Sequence, residues 1–283
     1  MVAPDSRHVS RAGHANRYHE ADTLTAVNRH QFLAELHRLI RPRTYLEVGV
    51  ASGASMALSR APSIGIDPGY SLTAEIQVDV QLARTTSDEF FARPRPLAHL
   101  PIPVIDLAFV DGMHLAEFAL RDYLAIERFT TPASVVVFDD VLPRSVDEAA
   151  RRRHTRGWTG DVYKALAALR RLRPDLLVVE VATKGSGVAV VLLPDSRRSG
   201  VLPGYDEWLD DMLREDPQDV PQEVIGRRGA VDPQWLLSLG GWAQVPRLRR
   251  RRSGRRDRRR DAVRAAFADL VDEVSPSVAV SLI

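Results

Sequence analysis

The chain has 283 residues, enough to bury one substantial core with length left for an appendage. Its composition, 45% hydrophobic and 27% charged, is that of a globular protein, and the lack of cysteine excludes disulfides and thiolate metal sites. No run is apolar enough to span a bilayer and the N-terminal stretch lacks a signal peptide's apolar core, so a cytoplasmic location without a membrane partner is expected.

Residues 1–21 are polar, with His8, His14 and His19, and are expected to be flexible. From Asp22, the spacing of Leu24, Val27, Phe32, Leu36, Leu39 and Ile40 predicts a helix that Pro42 ends. Tyr45–Val50, apolar apart from Glu47, predicts the end of a buried parallel strand. Gly49 and Gly53 then allow a tight turn and the close approach of a ligand, with Ser52 and Ser55 as candidate caps for a following helix. Such a unit can offer backbone N–H groups to a nucleotide-like ligand. A second strand is predicted over 63–67, ending on Asp67, and a third over 76–83, followed by Thr85–Asp88 and a helical DEFFA. The fourth, over 104–111, ends on Asp111 and leads into a helix over 115–129. The fifth, over 133–141, carries Asp139 and Asp140 at its end, and another helix covers 162–172.

Alternating strands and helices predict an α/β fold with a doubly wound, mostly parallel sheet. Residues 176–183 and 187–193 are separated only by Lys184, Gly185 and Ser186, too few for a parallel crossover. They must form an antiparallel hairpin, which gives a seven-stranded sheet finished by a reversed edge strand and speaks against an NAD-binding domain. This body is expected to span 22–195. Residues 196–283 read as a C-terminal extension. It begins with an acidic helix at 205–215, with Trp208, Leu209, Met212 and Leu213 inward. A helix at 232–239 follows, capped by Asp232 with Pro233 in its first turn. Then come an arginine block between Arg247 and Arg260, which makes the tail basic although the net charge is only +2, and a terminal amphipathic helix at 261–274.

In open α/β sheets ligands bind beyond the carboxyl ends of the strands, where the acids gather here. Asp67 suits a carboxylate that accepts both hydroxyls of a ribose, or is a plain turn aspartate before Pro68. Asp88 could meet an adenine amino group or cap the DEFFA helix. The succession ExGxxxG (Glu47, Gly49, Gly53), GIDPG, DLAFVDGMH and VVVFDDV resembles class I S-adenosylmethionine-dependent methyltransferases, and within them the macrocin O-methyltransferase-like group, over residues 24–193. The resemblance implies that Glu47, Gly49, Gly53 and Asp67 bind the cofactor, the loop at its methionine end and Asp67 at its ribose. Ala51 stands where the common loop has a middle glycine, and its methyl group requires a negative φ there.

Metal-dependent members of the family place one acid after the fourth strand and two after the fifth, and Asp111, Asp139 and Asp140 match. Three converging carboxylates repel unless protonated or bridged by a cation, and an all-oxygen set suits Mg²⁺. His114 is the candidate general base, or else a cap, while Met113 occupies a position where relatives commonly carry another acid. In GWTGDVYKAL (157–166), Thr159 or Asp161 could cap the helix and Trp158 could wall the acceptor site. Lys164 is an alternative base or a solvated helix lysine. The implied reaction is methyl transfer from S-adenosylmethionine to a hydroxyl of a small metabolite such as a sugar or polyol. The arginine block is expected to be a solvated linker. It could instead contact the acidic helix, or bind nucleic acid through phosphates. An RNA methyltransferase and a non-catalytic binding protein of the same fold are therefore the alternatives, and a homo-oligomer stays open.

Overall fold

Helix α1 (Arg29–Ile40) opens on a capping box, in which the Asn28 side chain accepts from the Gln31 N–H and the Gln31 side chain accepts from the Asn28 N–H. The computed structural model describes residues 27–198, 202–250 and 256–274, so the predicted helix start at Asp22 and the three N-terminal histidines lie outside the described residues. Strands β1 (Tyr45–Val48), β2 (Ser63–Ile66), β3 (Val80–Ala83), β4 (Leu107–Val110) and β5 (Val135–Asp139) pair in parallel in the order β3-β2-β1-β4-β5. Every residue of β1, β2, β4 and β5 is buried, as a parallel sheet covered on both faces requires.

Strands β6 (Leu177–Val181) and β7 (Val188–Leu192) form the predicted antiparallel hairpin. The reversed strand is not at the edge, however. β7 inserts between β5 and β6, antiparallel to both, and β6 forms the edge. β7 is VAVVL throughout, whereas the edge strand β6 carries Glu180, paired with Arg170 at 3.0 Å. A short parallel bridge between Val181 and Val231 covers part of that edge.

Helices α2 (Ser87–Phe91), α3 (Ala116–Glu127) and α4 (Tyr163–Leu172) cover one face, with α5 (Tyr205–Met212) against α3 and α4. Because α5 stops at Met212, Leu213 is 49% exposed rather than inward. On the other face the crossovers are short. The helix expected after the glycine turn is only a 3₁₀ turn, Met56–Leu58, and Ser55 gives its hydroxyl to Glu47 instead of capping it.

The C-terminal extension fills the space that this leaves. After α6 (Gln222–Ile225) come α7 (Pro233–Ser238), α8 (Val245–Arg249), α9 (Arg256–Ala266) and α10 (Ala268–Val274). Asp232 caps α7 as predicted, accepting from the Trp235 N–H at 2.8 Å. Buried Trp242, Phe267 and Leu270 share one hydrophobic cluster with Phe32, Tyr45 and Val135. The arginine block is therefore not wholly solvated: among its described arginines Arg249 and Arg259 are buried, while Arg247, Arg250 and Arg258 are exposed. Arg249 is 6% exposed, and its guanidinium donates to the carbonyls of Ile40 (2.7 Å) and Ala133 (3.3 Å). It lies 3.6 Å from Asp106, a carboxylate already held by Arg43. Arg260 donates to the Leu193 carbonyl and to Asp175. No helix among the described residues is long and apolar enough to cross a membrane.

Candidate active site

The strand order reverses around β1, and the predicted glycine turn leaves the carboxyl end of that strand. Gly49 has φ +86°, and a Cβ there would lie 1.8 Å from the Asp111 carbonyl oxygen. Glycine is thus demanded by the close approach of the loops after β1 and β4. Asp67, just past β2, accepts from the Ala51 N–H at 2.8 Å through one oxygen and from the Gly69 N–H at 2.6 Å through the other. This tie accompanies a φ of +46° at Ala51, contrary to the negative φ expected for a residue with a methyl group.

Two further cofactor candidates have protein partners. Glu47 is fully buried and accepts from the hydroxyls of Tyr45 (2.6 Å) and Ser55 (2.7 Å). Burial pushes its carboxyl up to about 8, against the opposing pull of those two hydroxyls. It joins β1 to the 3₁₀ turn. Asp88 lies in the first turn of α2 and is paired with Arg121 at 2.7 Å. The cap is Thr86, in a capping box with Glu89, because Thr86 is the residue with extended backbone before the helix.

The acids after β4 and β5 do converge. A small cavity is lined by Asp111, Met113, His114, Asp122, Asp139 and Asp140. His114 lies between two carboxylates, with Nε2 3.2 Å from Asp111 and Nδ1 2.9 Å from Asp140. Trp158 stacks on its ring at 4.9 Å and 11°. Gly160, at φ +57°, comes so near that a Cβ would lie 1.7 Å from the His114 carbonyl oxygen. Both His114 (φ +56°) and Asp140 (φ +59°) adopt the left-handed region without being glycine, a strain that tends to gather at functional sites.

Burial disfavours a charged imidazole, yet the hydrogen bonds to Asp111 and Asp140 prevail and raise His114 to about 10. Both ring nitrogens are engaged in this arrangement, Nε2 by Asp111 and Nδ1 by Asp140. Lys164 departs from both of its readings. It is buried, its Nζ donates to the Asp211 carbonyl at 3.0 Å, and it lies 3.4 Å from Asp161, so it faces α5. Asp161 caps a helix other than its own: it accepts from the Ala116 N–H at 2.9 Å at the start of α3, and from Arg151 at 2.8 Å.

Two residues escaped sequence reasoning. Arg29 donates to Asp139 and lies 3.5 Å from Asp111, which makes it the second basic side chain of the cluster. A cation opening a helix whose first turn lacks any acid was the available signal. Asp122, buried on α3, stands 3.4 Å from where a Gly112 Cβ would lie, and burial raises it to about 7. No local pattern marked it.

The cluster also bears on a metal. Asp111, His114 and Asp140 bring one ligand atom each within 4.8 Å of one another, whereas Asp139 is turned to Arg29. Asp139 is 2% exposed, and its Oδ1 has no hydrogen-bond partner among the described residues. Burial first, then Asp111 and Asp140, raise its carboxyl well above the usual range. A buried, unpartnered carboxylate oxygen beside two more carboxylates fits an oxygen-liganded divalent cation.

No curated protein matches the chain. Among solved structures, the O-methyltransferase TomG from Streptomyces achromogenes, in complex with SAM, is similar at 21% identity, covering 58% of this chain and 78% of that one, with a TM-score of 0.45. An O-methyltransferase from Bacillus cereus in complex with SAH is similar at 14% identity, over 60% and 84% of the two chains, with a TM-score of 0.44. The SAH-bound methyltransferase PaMTH1 from Podospora anserina gives 16%, 59% and 78%, and 0.44. Residues 9–141 match the family model described as a methyltransferase domain, and over that stretch the chain is similar to such domains.

Proposed function

We propose that the chain transfers the methyl group of S-adenosylmethionine to a hydroxyl of a small metabolite, such as a sugar or polyol. One juxtaposition supports this most. Asp67, oriented by the N–H groups of Ala51 and Gly69, and the Asp111–His114–Asp140 cluster flank the same glycine turn. A ribose-binding carboxylate and a polar acceptor site would then lie on opposite sides of β1, as methyl transfer between two bound molecules requires. In the reaction the methyl carbon leaves sulfur for oxygen, S-adenosylhomocysteine is released as the neutral thioether, and the hydroxyl proton passes to solvent water.

Asp111, Asp139 and Asp140 would hold Mg²⁺ or Mn²⁺. When bound, such an ion lowers the pKa of a coordinated hydroxyl. His114, within reach of both Asp111 and Asp140, would hold the two at fixed spacing. Trp158, stacked on that ring, walls one side of the acceptor site. Arg249 and Arg260 spend their donors on protein carbonyls and carboxylates, which leaves these two arginines of the block unavailable to a nucleic acid.

Calorimetry with S-adenosylmethionine and its demethylated product, with and without Mg²⁺, tests this reading. Both should bind, and Asp139→Asn should weaken Mg²⁺ far more than it weakens the cofactor. Chelation should suppress methylation of a hydroxyl acceptor, and Mg²⁺ or Mn²⁺ should restore it. A chain that binds neither cofactor form would end the methyltransferase reading. Full turnover of Asp139→Asn in chelator would remove the metal, and salt-sensitive RNA binding would restore the rival substrate.

A further inference from the structure

Arg29 is the first residue of α1, where its charge meets the positive end of the helix dipole with no acid in the first turn to offset it. A local conflict of this kind persists where something elsewhere compensates it. Here the compensation is the carboxylate cluster, since the guanidinium donates to Asp139 Oδ2 and lies 3.5 Å from Asp111. Two basic side chains divide the cluster. His114 serves Asp111 and Asp140 from one side, and Asp139 has Arg29.

The two ends of this ion pair are unlike. Asp139 has a side chain 1% exposed and cannot move to water, while the Arg29 side chain is 39% exposed. The start of α1 is itself tied down, because the Lys184 N–H donates to the Val27 carbonyl at 2.9 Å and Asn28 bridges to Lys184. The arginine can therefore swing out to solvent without moving the helix. Asp139 meanwhile keeps an unpartnered Oδ1 in the cavity.

We infer that Arg29 is a resident counter-ion for Asp139 and Asp111, and that a divalent cation enters the carboxylate cluster by displacing it. This rests on the reading that the three carboxylates hold such an ion. A metal at bonding distance from Asp139 and the guanidinium now at hydrogen-bond distance from the same carboxylate are like charges that cannot share it. Metal loading is then an exchange of cations, and Arg29 sets its affinity. The empty cluster stays partly neutralised because the arginine returns.

The test is a Mn²⁺ titration by calorimetry of the full chain, of Arg29→Gln and of Arg29→Lys, with melting curves to establish that each variant is folded. Arg29→Gln should bind Mn²⁺ about tenfold more tightly than the parent, a modest figure because the arginine is partly exposed and screened. Arg29→Lys, which keeps the charge, should stay near the parent. Raising the salt concentration should narrow the difference, since it screens the arginine. Equal or weaker Mn²⁺ binding by Arg29→Gln would overturn the inference, as would the absence of Mn²⁺ binding in both proteins. S-adenosylhomocysteine is titrated into the same samples. Retained S-adenosylhomocysteine binding with Mn²⁺ binding that Arg29→Gln does not tighten would sink only the counter-ion role, absent Mn²⁺ binding would remove the metal site as well, and absent S-adenosylhomocysteine binding by the parent would sink the methyltransferase reading.

Discussion

Arg249 offers the sharpest distinction between a solvated arginine block and a structural one. Replacing it by Met keeps most of its apolar length and removes the guanidinium. The carbonyls of Ile40 and Ala133 would lose a charged donor at 2.7 and 3.3 Å, inside the protein. The Asp106 carboxylate would not be orphaned, because Arg43 still holds it with two side-chain bonds of 2.8 and 2.9 Å. The cost should therefore fall at the low end of that for breaking a buried ion pair, about 3 kcal/mol. For a domain of this size that corresponds to a melting temperature lower by about 6–12 °C. Arg250, one residue away and exposed, is the control, and Arg250→Gln should stay within about 0.5 kcal/mol of the parent. Thermal melts and urea titrations with an unchanged m-value would measure both. If Arg249→Met melts with Arg250→Gln, the claim that the extension completes the core through Arg249 is wrong.

Acid should act through His37, which is 6% exposed, has neither ring nitrogen partnered, and is lowered by burial to about 4. The unfolded imidazole takes up a proton near pH 6.5 while the folded one does not, so stability should be lost as pH falls from about 6.5 to 4, by about 3 kcal/mol at most. His37→Phe should flatten that part of the profile, and urea midpoints with the same pH slope in both proteins would contradict it. Gly49→Ala forces a methyl onto the Asp111 carbonyl, whereas the methyl of Gly53→Ala, at a similar left-handed φ of +80°, meets the movable end of Leu72 at 2.8 Å. Cofactor calorimetry should show the first to be much the more damaging, and equal losses would argue against the close approach. Ala51→Gly relieves a left-handed φ of +46° and, after the added entropy of the unfolded chain, should stabilise by about 0.5–1 kcal/mol. A lower melting temperature would count against strain at that residue.

What was legible in the sequence is what neighbouring residues decide. Apolar runs ending in acids marked the strands and placed Asp67, Asp111, Asp139 and Asp140 at their carboxyl ends. A three-residue gap forced the β6–β7 hairpin, and Asp232 before Pro233 announced the start of α7. These follow from periodicity, turn length and cap chemistry, which act within a few residues.

What only the tertiary structure decided is which charged groups meet. Arg29 reaches Asp139 across 110 positions, Asp161 caps a helix 45 positions away, and Arg249 donates to the Asp106 carbonyl across 143. The same holds for His114, which Asp111 and Asp140 approach to 3.2 and 2.9 Å only once the chain is folded. Arg247, Arg249 and Arg250 look alike as letters, yet only Arg249 is buried. Helical phase turns it toward the sheet, and carbonyls brought there by other segments offset its desolvation. Burial and the partners it provides are properties of the assembled core, and they decide whether a charge is solvent-facing, structural or part of a site.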